Sequence, residues 1–211
     1  MIKKVNTPID RPVTPEQMTL GYAFIKTGYD DIRDGLIGDF SSNGLEVIHE
    51  RVLKLPPRVV DYIYRDSMTE HFFSAMRRHL IENPVRSLAL FRPEGDAQQT
   101  LLDLKHGRNN RENLRAKYTH SGSLLSADEV RAWAIGAHPD QFNATVCLTQ
   151  NNVFHTADTA SEALNTLMLL GQEYPGYYAY NDSPSRHIGR GSVLLAELCA
   201  DDTIEGNYGY L

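Results

Sequence analysis

What most constrains the fold is the order in which two periodicities alternate along the chain. Short apolar runs sized for strands are followed by residues spaced for one face of a helix. Met18–Ile25 (MTLGYAFI) is an apolar run bounded by Lys26 and Gly28, the pattern of a buried strand. Ile32–Ser42 places Ile32, Leu36, Ile37 and Phe40 as a helical stripe, and Gly44 follows as a helix stop. Leu45–Leu55 alternates loosely, is rich in Val, Ile and Leu, and reads as a second strand ended by Pro56-Pro57. Val59–Leu80 reads as two helices, with Tyr62, Phe72, Phe73, Met76 and Leu80 at apolar positions, broken at Asn83-Pro84. Val85–Phe91 is a third strand, Ala97–Lys105 a short helix and His106–Asn113 a polar loop. Ala144–Leu148 (ATVCL) is a fourth strand, and Ala160–Leu170 is a strongly apolar helix.

The order β-α-β-α-α-β-α-loop-β-α predicts an α+β fold of the ferredoxin-like, split βαβ kind: a four-stranded antiparallel sheet with helices on one face. Residues 1–17 are polar, carry three prolines and read as an N-terminal arm. Residues 18–170 form the domain, with an insertion at 119–141, and 171–211 form a C-terminal extension rich in Tyr and Gly. The insertion holds a helical candidate, Ser126–Ile135, with Ser126 as cap, Glu129 three residues on, and Trp133, the chain's one tryptophan. It reads as a packed surface helix or as a lid or interface helix. Both outlying stretches are expected to shape substrate access or assembly rather than build the core.

Charge narrows the partners. The chain has 21 Lys plus Arg against 27 Asp plus Glu, a net charge of −6, which argues against a broad basic surface for duplex DNA or anionic membrane. A small basic pocket is compatible with it. The two cysteines, Cys147 and Cys199, lie in apolar strings and read as buried reduced thiols rather than a disulfide framework or a zinc site. The first 17 residues lack the apolar segment of a signal peptide, and no window has the length of apolar residues needed to span a bilayer. The cytoplasm is the expected location.

Chemistry concentrates in one segment. Asn152 and His155 precede Thr156, Ala157, Asp158 and Thr159, and Ser161 and Glu162 open the apolar helix. This sequence predicts a histidine at a strand-to-helix junction, with Asp158 or Thr159 capping the helix. Helix N-termini favour anions, and a neutral imidazole beside one can attack a phosphoryl group. A plain loop histidine fits the same residues. At such a junction the side chain is expected to contribute little to the core.

Asn152-x-x-His155 followed by Thr-Ala-Asp-Thr resembles the signature N-x-x-H-G-S-D-S of the nucleoside diphosphate kinase family. The first strand, Lys26 and the run Gly35-Leu36-Ile37-Gly38 resemble the family's apolar strand, its lysine and its R-G-L-V/I-G segment. Tyr64, with Phe72 eight residues on and Phe73 next, is similar to its Y-x7-F-F pair. Leu114-Arg115-Ala116-Lys117-Tyr118 is similar to its L-R-A/G-x-F/Y stretch. These elements occur in the family's order over about residues 18–170. The family's glycine and serine after the histidine are Thr156 and Ala157 here, and its helix glutamate has Glu162, Asn165 and Thr166 as the nearest positions. For its phosphate-binding threonine and second arginine, the candidates are Arg108 with Asn109, or Lys105.

The resemblance implies a ping-pong phosphotransferase. A nucleoside triphosphate such as ATP would donate its γ-phosphoryl to His155, and a nucleoside diphosphate would take it. Lys26 and Arg115 would spread the phosphoryl charge. Asn152 would bond ribose or phosphate, Tyr64 would hold the histidine or the phosphate, and Phe72 would stack on the base. Magnesium (Mg2+) would be carried by the phosphates and water, with no protein ligand. A homo-oligomer is implied as well. The alternatives are a nucleotide-dependent enzyme with a changed acceptor and a non-catalytic nucleotide-binding module.

Overall fold

Six consecutive buried residues make Leu20–Ile25 a strand that belongs in the middle of a sheet, and it lies there as β1. The computed structural model describes residues 12–69, 73–118, 153–174 and 188–200. The other strands are β2 (Glu46–Lys54), β3 (Pro84–Phe91) and β4 (Phe154–Thr156). The helices are α1 (Arg33–Ser42), α2 (Pro57–Ile63), α3 (Phe73–Glu82), α4 (Ala97–His106), α5 (Leu114–Lys117), α6 (Ala160–Glu173) and α7 (Ile188–Ala200).

The sheet order is β2-β3-β1-β4, and every neighbouring pair is antiparallel. β1 and β2 therefore run parallel to each other with β3 between them, which is the split βαβ arrangement expected of a ferredoxin-like α+β fold. A register shift between Val47 and His49 marks a bulge in β2. Ile48 and His49 are both buried as a result, which explains the loose alternation of this strand in sequence.

Two expectations change. Helices cover both faces of the sheet rather than one. Along β1, Leu20, Tyr22 and Phe24 join one apolar cluster, built with α2, α3, α6 and α7, while Ala23 and Ile25 join another, built with α1, α4 and α5. Successive side chains on a strand point to opposite faces, so a strand apolar at every position needs cover on both. The second change concerns the tail. Its helix α7 places Leu195 and Leu198 in the first cluster, at 2% and 8% exposure, so part of the C-terminal extension builds the core.

The described strand next to β1 is β4, on the far side from β3. The expected strand Ala144–Leu148, the insertion 119–141, Phe72 and Asn152 lie outside the described residues. Among the described residues no helix is long and apolar enough to cross a membrane.

Candidate functional site

His155 is the middle residue of β4, opposite Phe24 of β1, and so sits inside a strand rather than at its junction with the helix. Strand alternation sends Phe154 to the α1 side, where it meets Phe40 edge-on at 6.2 Å, and turns His155 to the other face. There its ring stacks on Phe24 at 4.9 Å between centroids and meets Tyr64 at 5.2 Å. Only 6% of His155 is exposed. The side chain thus belongs to the core packing, contrary to the expectation for a junction histidine.

The two ring nitrogens have different neighbours. The Tyr64 hydroxyl lies 3.3 Å from Nδ1. On the other side Glu162 Oε1 is 4.0 Å from Nε2, and neither of these two buried atoms has a hydrogen-bond partner among the described residues. Glu162 is held by its position at the start of α6. Thr159 caps that helix, its hydroxyl accepting from the Glu162 amide at 3.0 Å, and the Asp158 amide donates to Glu162 Oε2 at 3.3 Å. This is close to a capping box, reached from the residue before the cap. The capping threonine fixes the Glu162 backbone, and the Asp158 amide holds its carboxylate, whose other oxygen lies toward the histidine ring.

The charges of three cations reach His155. Lys26 follows β1 directly and is buried, its amide donating to the Val153 carbonyl at 2.9 Å. Lys105 comes from the last turn of α4, also buried, with Nζ 3.4 Å from the Thr156 carbonyl and 3.5 Å from Asp158 Oδ1. Arg115 is carried by α5 and is half-buried. Burial, then the charges of Lys105, Lys26 and Arg115, hold the His155 pKa well below its ordinary value, so the imidazole is neutral at neutral pH. Burial likewise pushes the Glu162 carboxyl up, to about 7. Burial first, then the neighbouring Arg115, lowers the Lys105 ammonium, and burial lowers Arg115 while Asp158 and Tyr64 pull it back. Each of these shifts is the signature of charge confined in little space, as functional sites commonly show.

Of the residues expected at the site, Lys26, Tyr64, Arg115 and His155 come together. Among the candidates for the missing phosphate ligands, Lys105 is at the site. Asn109 turns back instead, donating to Asp103 Oδ2 at 2.7 Å, and the exposed Arg108 continues the turn after Gly107, whose φ of 67° caps α4 in the left-handed region. Asn165 donates to the Tyr62 hydroxyl at 2.9 Å, which leaves Glu162 as the carboxylate beside the ring. One buried contributor had no signal in the sequence. Gln98, fully buried, accepts from the Tyr22 amide at 3.0 Å and donates to the Ala157 carbonyl at 2.5 Å, tying β1 to the turn that follows His155.

No protein-family profile and no curated protein matches this sequence. Among solved structures the chain is similar to apo nucleoside diphosphate kinase from Encephalitozoon cuniculi, at 14% identity and a TM-score of 0.42, over 72% of this chain and 87% of that one. It is similar to the enzyme from Borrelia burgdorferi with bound vanadate and ADP, at 18% identity and a TM-score of 0.40, over 70% and 84%. It is similar also to an NDP kinase from Pyrobaculum aerophilum, at 12% identity and a TM-score of 0.39, over 71% and 93%. At such identities and scores the likeness assigns no role to any residue, and the chemistry of the site rests on its own geometry.

Proposed function

We propose that this protein is a phosphotransferase that moves the γ-phosphoryl of a nucleoside triphosphate to a nucleoside diphosphate through a phosphohistidine on His155. The observation that carries the reading is a neutral, buried histidine under the charge of three cations, with a different neighbour at each ring nitrogen. A neutral imidazole has one lone pair to offer and one N–H to place. With Glu162 ionised and the N–H on Nε2, directed at a carboxylate 4.0 Å away, the lone pair is on Nδ1, on the side of Tyr64.

The proposed transfer proceeds in two displacements. Nδ1 forms a bond to the γ-phosphorus as the bond from that phosphorus to the β–γ bridging oxygen breaks, and the nucleoside diphosphate leaves with the bond pair. An oxygen of the acceptor diphosphate then attacks the same phosphorus, and the electron pair returns to Nδ1. Lys26, Lys105 and Arg115 stabilise negative charge on the moving phosphoryl group, which matters most in a site from which water is excluded. Tyr64 passes its hydrogen bond from Nδ1 to a phosphoryl oxygen. Glu162, 4.0 Å from Nε2, stabilises the positive charge that grows on the ring. Phe72 stacking on the base and Asn152 bonding ribose or phosphate complete the proposal.

Among the described residues no group of three or more His, Cys, Asp or Glu side chains could hold a metal ion. In this proposal Mg2+ arrives carried by the nucleotide's own phosphates and water, where it would neutralise phosphate charge.

The test is incubation of the protein with γ-labelled ATP. An acid-labile, base-stable label on His155 that is released to added nucleoside diphosphates supports the reading. Label that does not pass to diphosphates points to a changed acceptor. Absence of label with nucleotide still bound points to a binding module.

A further inference from the structure

Arg115 sits on a helix that cannot hold its own place. α5 has four residues, too few for a stable isolated helix, so its position is set by what it touches. The Asn113 side chain caps it, accepting from the Ala116 amide at 3.0 Å, and Leu114 is fully buried beneath it. α5 packs against α4, and polar anchors tie it to α1. Asp39 accepts from Lys117 Nζ at 2.8 Å through one oxygen and from the Tyr118 hydroxyl at 2.5 Å through the other. One helical turn away, Asn43 accepts from Arg111 NH1 at 2.5 Å. Glu112 also holds Lys117, at 2.9 Å, but Glu112 belongs to the same segment and fixes nothing relative to the sheet. Gly35, one turn before Asp39, leaves the room this needs: a Cβ there would stand 2.8 Å from the Tyr118 hydroxyl oxygen. Burial and then the bond to Asp39 push the Tyr118 phenol up to about 12, so the hydroxyl remains a donor throughout the ordinary pH range.

We infer that Asp39 is the positioning residue for Arg115: by holding Lys117 and Tyr118 it fixes the helix that presents the guanidinium to phosphate. The inference rests on the proposed phosphate role of Arg115. A carboxylate with two oxygens engaged by two successive residues restrains rotation of a short helix as well as its distance. A single contact restrains distance alone. A guanidinium displaced by an ångström loses most of the advantage of a preorganised contact.

A double-mutant cycle tests it, with inorganic tripolyphosphate as the probe and calorimetric affinity as the readout. Asp39→Asn, a near-isosteric change, is expected to weaken tripolyphosphate binding by about tenfold. The same substitution in an Arg115→Gln background is expected to change affinity by less than about twofold. Tyr118→Phe, which removes one of the two anchors, is expected to fall between wild type and Asp39→Asn. Hydrogen exchange should show faster exchange of the Lys117 and Tyr118 amides in Asp39→Asn with β1 and β3 unchanged, which separates loosening of α5 from loss of fold. Equal weakening in both backgrounds overturns the inference, as does unchanged affinity in Asp39→Asn. A wild-type protein that binds no tripolyphosphate overturns it together with the role of Arg115. Wild type that binds tripolyphosphate yet takes no label from ATP refutes phosphotransfer alone, and the cycle still decides the role of Asp39.

Discussion

At the residue scale, His155 answers to two demands at once. It is packed on Phe24 and is the proposed nucleophile. His155→Gln should abolish labelling from γ-labelled ATP and retain the fold, because it keeps most of the volume. His155→Ala should abolish labelling and also lower stability by roughly 1–3 kcal/mol, through the cavity left against Phe24. Denaturant unfolding of the two variants separates the effects, and retained labelling in His155→Gln would remove the nucleophile assignment. Lys26→Ala should lower turnover at saturation by on the order of 100-fold, with a much smaller change in nucleotide affinity, because its charge is used most while the phosphoryl group is in transit. A fall in affinity with turnover intact would make it a ground-state contact instead. Glu162 has its own signature. Its carboxyl is raised from 4.5 to about 7, so the folded protein binds a proton there that the unfolded chain has already released. The stability this contributes is fully present below about pH 4.5 and lost as pH rises through about 7. His155 has the opposite sign. Its depressed pKa contributes stability above the ordinary value of 6.5 that is lost as pH falls through the folded one. Glu162→Gln should therefore match wild type near pH 4 and exceed it near pH 8, by on the order of 3 kcal/mol, while slowing phosphorylation. A stability difference that does not vary with pH would show that Glu162 is not held near neutrality.

At the element scale, the site is made by the ends of elements. β1 ends at Ile25 and delivers Lys26, α4 ends at His106 and delivers Lys105, and α6 begins at Ala160 and turns Glu162 back to the ring. The cap is the joint that fixes the last of these. Thr159→Ala should cost about 1 kcal/mol and slow phosphorylation as well, since the hydroxyl that caps α6 fixes the backbone from which Glu162 reaches the ring. Thr159→Ser keeps the hydroxyl and should restore both. Loss of stability with an unchanged labelling rate would separate the cap from the site. Much of this scale is legible in the sequence: the apolar run of β1 ending in Lys26, the stripe of α1, the Pro-Pro stop, and the capping residues ahead of α6 are local signals. β4 is not. With three residues it is too short for a periodicity, and it becomes a strand because Phe24 and Ile25 offer it an edge.

At the scale of the whole molecule, the sheet is a wall with two covered faces, and the site lies where β4 meets α4 and where its His155 faces Glu162 of α6. α7 closes the first cluster from far along the chain. Its Gly191 lies so near Phe91 of β3 that an added Cβ would stand 2.8 Å from the ring, and Leu195 is buried beside it. Leu195→Ala should cost roughly 2–4 kcal/mol, and Gly191→Ala should destabilise the protein despite its better helix propensity. Thermal unfolding checks both, and an unchanged midpoint in Leu195→Ala would mean that α7 is not part of the cooperative core. What the sequence by itself determined is local: that β1 to β3 are strands and α1 to α4 and α6 are helices, where these stop, and which residue types stand at the ends that build the site. Periodicity, caps and prolines act over a few residues and can be read there. Tertiary structure alone decided that both faces of the sheet are covered, that α7 belongs to the core, and that Lys105 rather than Asn109 reaches the site. It also decided that Glu162 faces Nε2 of His155. These outcomes depend on contacts between residues far apart in sequence, where packing and charge compensation select one partner among several of the same chemical type.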